Sequence, residues 1–238
     1  TYVAQGKVLK VLDKPQVGTF VAPVVLQVSG IADLEREVFG PVLHVATYKA
    51  EQIDAVVDAI NATGYGLTFG MHSRIDDRIA QVTERLEVGN IYVNRNQIGA
   101  VVGTQPFGGE GLSGTGPKAG GPSYLGRFTQ PSVPVFGGRP ADLDVATVQA
   151  VIDAAARPGV TCVGSQNLPG PTGESNRLSR WGRGVILCLG PTAEAALDQA
   201  AQVRAAGAIA VSVAPGISGA NSVSGALDIA DVGKPRGI

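Results

Sequence analysis

The fold is decided by residues 51–71, EQIDAVVDAINATGYGLTFGM, where the apolar pattern of a helix gives way to that of a buried strand. The apolar residues first recur at i, i+3, i+4 and i+7, as on one face of an amphipathic helix: Ile53, Val56, Val57 and Ile60. We therefore predict a helix over 51–62 that ends at Gly64, and a short buried strand over 66–71.

Strand and helix patterns continue on both sides of this stretch. Further strands, rich in β-branched residues and bounded by turns, are predicted at 17–28, 42–48 and 89–93. A second helix is predicted over about 75–86, where Ser73 and Asp76 have the spacing of a capping box. The order β-α-β-α-β predicts an α/β fold with a parallel sheet and right-handed crossovers.

A second β-α-β unit lies towards the end of the chain. Its predicted elements are strands at 184–189 and 208–213, an alanine-rich helix at 192–206, and an earlier helix at 143–156 with Asp142 near its N-cap. The junction Gly190-Pro191-Thr192 lacks the G-x-G-x-x-G fingerprint, so we predict a Rossmann-like domain without a cofactor.

Glycine and proline mark the predicted domain boundary. They concentrate near Gly137-Gly138 and again in 168–176, which leaves two positions for a linker. We place the division at the first, giving domains over 1–137 and 138–238. The Gly/Ser/Asp-rich stretch that ends at Ile238 contains no closing element, so we expect the second domain to be truncated.

Composition excludes several classes of protein. The 238 residues carry a formal net charge of -1, and 44% of them are hydrophobic, which favours a folded core over disorder. A charge so near zero disfavours nucleic acid as the main partner. No apolar run has the length of a membrane span and no signal peptide opens the chain, so we expect a cytoplasmic protein.

The metal-binding and thiol residues give little sign of chemistry. His44 and His72 have no metal-ligand spacing, so no metal site is predicted. Cys162 and Cys188 give little support for a disulfide in a cytosolic-looking sequence. Because Cys188 lies in an apolar strand, we interpret it as a packed core thiol rather than a nucleophile.

The first candidate site is the pentad EVFGP at 37–41, between two predicted strands. The Glu37 carboxylate can hold sugar hydroxyls while the Phe39 ring packs against a flat heterocycle. A surface acid beside a core phenylalanine is the commoner arrangement, so the pentad alone is a weak signal.

The glycine-rich run GAVVGTQPFGG at 99–109 is a stronger signal. Small residues let the backbone approach a ligand, and successive free N–H groups suit a carboxylate. Phe107 can form the wall of an apolar slot. The alternative is an ordinary wide glycine turn.

Together these motifs resemble a known family. The pentad at 37–41 resembles the aldehyde dehydrogenase superfamily, and NRNQIGAVVGTQPFGG at 94–109 resembles its glutamate-semialdehyde dehydrogenase branch. GLSGTGPKAGGP at 111–122 is similar to the proline utilization A version of that branch, and LPGPTGE at 168–174 resembles the region that follows the dehydrogenase there. The resemblance covers essentially 1–190.

The resemblance implies roles for the matching positions. Glu37 is expected to hold the nicotinamide-ribose hydroxyls of NAD, with Phe39 as its packing neighbour. The backbone amides of Gly99 and Ala100 are expected to anchor the α-carboxylate of the substrate. Phe107 is expected to form the aromatic wall against the substrate's methylene chain.

The resemblance also implies a larger protein. Proline utilization A joins an FAD-dependent proline dehydrogenase to an NAD-dependent L-glutamate γ-semialdehyde dehydrogenase, so we expect upstream domains on the same polypeptide. Residues 123–136 resemble the strand of an oligomerisation flap, which implies a homo-oligomer. Any association with a membrane is expected only through the proline dehydrogenase half.

The residues that perform the family's chemistry are not in this chain. The reaction needs a nucleophilic cysteine, a general-base glutamate and a cofactor domain, all of which precede the pentad in the family order. We therefore assign no catalytic residue here. Two alternatives remain: a monofunctional 1-pyrroline-5-carboxylate dehydrogenase, which the ending PKAGGP at 117–122 and the extra domain disfavour, and a non-catalytic lid or assembly module.

Overall fold

The computed structural model describes residues 6–129, 142–156 and 162–227. The chain divides into two compact units, Thr1–Thr129 and Gln130–Ile238. The predicted division between 137 and 138 falls outside the described residues, so that boundary stays a prediction.

The first unit opens with a sheet of three strands, β1 (Lys7–Val11), β2 (Val24–Gln27) and β3 (Val42–Val45). β1 is antiparallel to β2, and β2 is parallel to β3. Of the strand predicted over 17–28, only residues 24–27 form a strand. Gly18 adopts a φ of 108°, outside the strand region, and Pro23 has no N–H with which to extend the ladder.

The predicted helix at 51–62 is confirmed as α1 (Ile53–Ala62), and Gly64, with a φ of 72°, follows its end. The next elements are β4 (Tyr65–Gly66), β5 (Thr68–Met71), α2 (Asp76–Thr83), β6 (Asn90–Val93) and β7 (Glu110–Gly111). β5 and β6 pair in parallel with α2 between them, while β4 is antiparallel to β7. The α/β class is confirmed, but the parallel pairs lie in separate sheets rather than in the single predicted one.

The predicted capping box at the start of α2 is wrong. Ile75 is the N-cap residue, and no side chain caps the helix there. Ser73 lies two residues before the N-cap. Its hydroxyl instead accepts the Ile75 N–H at 3.1 Å and closes a local turn. Asp76 and Asp77 still place negative charge in the first turn, where the helix dipole favours it.

The core of the first unit forms between the two helices and the β5–β6 pair. Its members are the buried residues Ile53, Val57, Val82 and Leu86, with Phe69, Met71 and Ile91 packed against them. Arg85, just after α2, also pairs with Asp54 and Asp58 of α1. These ion pairs are exposed, so the apolar contacts rather than the charges hold the helices together.

The strand predicted over 123–136 is wrong in its first part. Tyr124–Phe128 forms a 3-10 turn, with the Tyr124 N–H donating to the Gly121 carbonyl at 3.1 Å and the Thr129 N–H to that of Gly126 at 3.3 Å. These local bonds satisfy the backbone without a partner strand. Residues 130–136 lie outside the described residues.

The second unit is built on a parallel sheet. Its elements are α3 (Val145–Ala155), β8 (Cys162–Leu168), β9 (Asn176–Trp181), β10 (Val185–Cys188), α4 (Ala193–Ala205), β11 (Ile209–Ala214) and β12 (Ser222–Ser224). The strand order is β10-β11-β12, with both pairs parallel, so the predicted β-α-β unit is confirmed. None of the helices in the described residues has the length and apolar character needed to span a membrane.

Asp142 lies near the N-cap of α3, as predicted. The N-cap residue itself is Asp144, which accepts the Thr147 N–H at 2.6 Å, whereas Asp142 accepts the Ala226 N–H. One feature of the second unit differs from the prediction. The antiparallel hairpin β8–β9 was not predicted, because its strands lack a clear apolar alternation and are largely exposed. The proline- and glycine-rich segment between them forms the turn of that hairpin.

Candidate functional site

The glycine-rich run predicted to bind substrate begins at the end of β6. Asn94 adopts a φ of 57°, and its side chain both accepts the Ser73 N–H and donates to the Ser73 carbonyl, each at 2.9 Å. The Asn94 N–H donates to the Met71 carbonyl at 2.7 Å. The chain therefore leaves the β5–β6 pair in a fixed direction before it reaches the candidate loop.

The first part of the loop, residues 98–104, offers unused backbone donors; we call it the open arm. The Gln105 side chain accepts the Val101 N–H and the Gln105 N–H donates to the Val101 carbonyl, both at 2.9 Å, which closes a turn around Gly103. In the part of the chain that the structure describes, neither the Gly99 nor the Ala100 N–H donates to a protein acceptor. A Cβ placed on Gly99 would meet no atom within 4 Å, so there is open space beside the backbone at this residue.

The next part of the loop, residues 106–108, is fixed by hydrogen bonds to other segments of the chain; we call it the fixed arm. Asn90 donates from Nδ2 to the Pro106 carbonyl at 2.9 Å and accepts the Gly108 N–H on Oδ1 at 3.1 Å. Phe107 exchanges both of its backbone bonds with Ala119, at 3.0 and 2.7 Å. The Phe107 side chain is half-buried.

Lys118 also bonds to the fixed arm. Its ammonium donates to the Gly108 carbonyl and to the Gly89 carbonyl, each at 2.6 Å. Burial lowers the pKa of the Lys118 ammonium, an effect that the negative charge of Glu110 opposes. The lysine therefore joins the loop to the chain that enters β6.

Gly89 has to be a glycine for this packing. A Cβ at that position would collide with the Gly108 carbonyl oxygen and would lie 2.8 Å from the carbonyl carbon. The fixed arm therefore rests directly on the backbone at the start of β6. No side chain other than hydrogen fits between the two segments.

The pentad predicted to bind NAD lies in the loop between the 3-10 turn Ile31–Asp33 and β3. Its end is anchored, because the Pro41 carbonyl accepts the Val24 N–H of β2 at 3.0 Å. Glu37 is exposed, and Phe39 is 90% exposed. Neither side chain therefore packs in the protein core. This exposure does not test the prediction that Phe39 packs beside Glu37.

The structure brings only some of the predicted residues together. Gly99, Ala100 and Phe107 share one loop, as the sequence predicts. No hydrogen bond or ring contact in the described residues joins Glu37 or Phe39 to these three. The same residues contain no cluster of three or more histidine, cysteine, aspartate or glutamate side chains that could hold a metal ion.

The two cysteines differ in their surroundings. Cys188 is buried in the core of the second unit, which confirms the interpretation as a packed thiol, and burial raises its pKa. Cys162 is exposed on β8. A buried thiol with a raised pKa carries little thiolate at neutral pH, so Cys188 is unsuited to nucleophilic attack.

Asn90 and Lys118 were not among the residues singled out from the sequence. Their only signals were an amide side chain at the second position of a predicted strand and a single cation within a glycine-rich run. Neither signal indicates a partner. Only the fold shows that both side chains converge on the backbone that carries Phe107.

Known proteins share the sequence of this region and beyond. The model of the aldehyde dehydrogenase family matches residues 2–133. The bifunctional protein PutA of Rhizobium meliloti is 47% identical over 215 residues, which are 84% of this chain and 18% of that protein. The 1-pyrroline-5-carboxylate dehydrogenase of Bacillus thuringiensis (strain Al Hakam) is 44% identical over 117 residues, which are 48% of this chain and 22% of that protein.

A solved structure gives a similar result. The crystal structure of Bradyrhizobium japonicum proline utilization A is 56% identical in the aligned region, with a TM-score of 0.51. The alignment covers 53% of this chain and 13% of that one. The chain therefore spans less than a quarter of the length of each of these relatives.

Proposed function

Because the chain belongs to the aldehyde dehydrogenase family, we propose that it forms the distal part of an NAD-dependent dehydrogenase that oxidises L-glutamate γ-semialdehyde to L-glutamate. We place this dehydrogenase in a longer, bifunctional proline-catabolic protein, here called the parent. The similarity to the bifunctional relative extends over 84% of this chain, against 48% for the monofunctional one, which supports the bifunctional parent.

The observation that carries the proposal is the pair of free amides in the open arm. In the described residues the Gly99 and Ala100 N–H groups have no protein acceptor, and open space surrounds Gly99. A carboxylate fits such a pair, because each amide can donate a charge-assisted hydrogen bond. Phe107 follows in the same loop and offers a ring to the methylene chain between the carboxylate and the aldehyde.

The pentad supports the use of NAD. The exposed Glu37 carboxylate can accept hydrogen bonds from two neighbouring ribose hydroxyls, and the exposed Phe39 ring offers an apolar face to a flat heterocycle. Both side chains therefore suit the proposed cofactor. When bound, NAD takes up the hydride that leaves the aldehyde carbon. The part of Glu37 is to hold the ribose, so that the distance for hydride transfer stays short.

The nucleophile, the general base and the FAD-dependent proline dehydrogenase are proposed to lie in other parts of the parent. Neither cysteine of this chain falls within residues 2–133, which match the family. As an isolated polypeptide the chain is therefore a folded module without dehydrogenase activity. NADH formation from glutamate semialdehyde by the purified 238-residue chain would contradict this.

Assembly and location are extensions of the same proposal. Leu125 and Phe128, in the segment 123–136 that resembles an oligomerisation flap, are each 77% exposed and leave apolar surface for another copy or domain. Both cysteines are free, as expected for a protein of the reducing cytoplasm. Small-molecule substrates and the upstream domains are the other proposed partners, and nucleic acid is not proposed to bind this region.

The proposed function is tested by substrate preference in the parent. Catalytic efficiency is measured with glutamate semialdehyde and with butanal, which has no carboxylate. Ala100→Val crowds the amide pair, so the preference for glutamate semialdehyde should fall at least about tenfold, which corresponds to one lost charge-assisted bond of roughly 1.5–3 kcal/mol.

The matched control is Val102→Ala, which changes an exposed side chain of the same open arm without crowding the amides. It should leave the preference unchanged. If Ala100→Val retains the wild-type preference, the open arm does not bind the carboxylate. A parent that forms no NADH from glutamate semialdehyde would overturn the proposed function itself.

A further inference from the structure

The backbone polar groups of the fixed arm are bonded to other parts of the protein. From the Pro106 carbonyl to the Gly108 carbonyl, all five polar groups of the backbone are bonded: two to Asn90, two to Ala119 and one to Lys118. Three of the five bonds come from side chains. The residue at the centre of this arrangement is Phe107.

Asn90 and Lys118 act on Phe107 from the same side of the fold. Asn90 is the first residue of β6, and Lys118 reaches the Gly89 carbonyl immediately before it. Asn90 bonds the peptide groups on both sides of Phe107, while Lys118 bonds the carbonyl that follows them. The Cα of Phe107 is thus tied to the parallel β5–β6 pair at three points.

The glycine-rich run can form a loop without such hydrogen bonds. In the open arm, a few residues earlier, two amides have no acceptor among the described parts of the chain, and the Ile98 and Val102 side chains are 91% and 93% exposed. The two arms therefore differ in how many of their backbone groups are bonded to the protein, at the place where the proposed substrate lies. A flexible donor pair can adapt to a carboxylate, whereas an aromatic wall discriminates only if its distance is fixed.

We infer that Asn90 and Lys118 are positioning residues which hold Phe107 at a fixed distance from the substrate's methylene chain and so set the selectivity for chain length. This inference rests on the proposed function. Neither residue touches the substrate; both act through Phe107. Displacement of the ring weakens contacts made equally in the ground state and the transition state, so the loss falls on KM rather than on kcat.

The test uses steady-state kinetics of the full-length parent with glutamate semialdehyde and with its homologue one methylene longer. Asn90→Asp removes the donor to the Pro106 carbonyl and should raise KM for glutamate semialdehyde about tenfold, with kcat changed less than about twofold. It should also reduce the difference in KM between glutamate semialdehyde and its longer homologue. Lys118→Met should act in the same direction, and Lys118→Arg, which keeps N–H donors, should restore most of the wild-type KM.

Asn61 provides a matched control. Its side chain donates to the Arg85 carbonyl at 2.8 Å and accepts the Glu87 N–H at 3.0 Å, the same bridging arrangement as that of Asn90. Asn61→Asp should therefore cost similar stability but leave KM and the chain-length gap unchanged. Proline dehydrogenase activity should be unchanged in all variants.

A double-mutant cycle separates positioning from a general loss of structure. In a Phe107→Ala background, Asn90→Asp should raise KM no further, because the wall that it positions is absent. Should Asn90→Asp fail to fold, Lys118→Met enters the same cycle. An unchanged KM in both single variants of an active parent, or full additivity with Phe107→Ala, would overturn the inference alone. An inactive wild-type parent would overturn the proposed function and the inference with it.

Discussion

The open and fixed arms of one loop differ in how their backbone groups are used. In the open arm, two adjacent amides have no protein acceptor in the described residues, and a Cβ could be added at Gly99 without contact. In the fixed arm, the groups around Phe107 are bonded and a Cβ at Gly89 would strike the Gly108 carbonyl. A glycine-rich sequence can thus supply both free donors and tight packing within ten residues.

The comparison shows that glycine serves two purposes here. At position 99 it leaves open space beside the backbone, where we propose that the carboxylate binds, whereas at position 89 it allows two backbone segments to touch. The sequence alone does not distinguish these cases.

Replacement of the two glycines by alanine should have opposite outcomes. Gly89→Ala forces a methyl group against the Gly108 carbonyl and should destabilise the chain by about 3 kcal/mol. Gly99→Ala, the matched control, should change stability by less than about 0.5 kcal/mol. Urea unfolding followed by circular dichroism measures both, and equal losses would show that the arms do not differ in packing.

Removal of the lysine clamp should have a smaller effect. Lys118→Met keeps most of the side-chain volume but leaves the Gly89 and Gly108 carbonyls without their donor, which should cost about 2 kcal/mol in the free energy of unfolding. Lys118→Arg is the control and should recover part of the loss. If the methionine variant is as stable as the wild type, the two bonds contribute nothing net.

The smallest effect is on the pH dependence of stability. Burial lowers the pKa of Lys118 in the folded chain, whereas in the unfolded chain it has its ordinary value of about 10.4. Between these two values the unfolded chain binds more protons, so the contribution of Lys118 to the free energy of unfolding rises with pH. The stability difference between wild type and Lys118→Met should therefore shift in favour of wild type as the pH rises towards about 10.4, the ordinary pKa of a lysine. A difference that falls over this range would reverse the sign and contradict the burial of the ammonium.

Much of the fold could be predicted because its signals are local. The apolar spacing in 51–62 predicts α1, the alanine-rich stretch 192–206 predicts α4, and the apolar run at 184–189 predicts β10. The hairpin β8–β9 could not be predicted, since its exposed strands pair with each other and bury no continuous apolar face. The turn at Tyr124–Phe128 was missed because aromatic residues favour strands, while the neighbouring glycines favour local bonds.

The candidate site likewise contains residues that the sequence singles out and residues that only the fold reveals. Gly99, Ala100 and Phe107 could be identified because they belong to one continuous motif. Asn90 and Lys118 could not, since their bonds join positions 16 residues apart in one case and 29 in the other. Such contacts depend on the fold that brings β6 beneath the loop. A sequence motif can therefore suggest candidate groups for contact with a ligand, but not the groups that hold them in place.

Amide hydrogen exchange tests the division of the loop most directly. In the 238-residue chain, the Phe107 and Gly108 amides should exchange at least about a hundredfold more slowly than those of Gly99 and Ala100, because among the described residues only the former pair is bonded to protein groups. In the parent, added L-glutamate should slow exchange at Gly99 and Ala100 and leave Phe107 and Gly108 unchanged. Equal exchange of all four amides in the chain, or no response of Gly99 and Ala100 to glutamate in the parent, would contradict an open arm that binds the carboxylate beside a fixed arm that carries the wall.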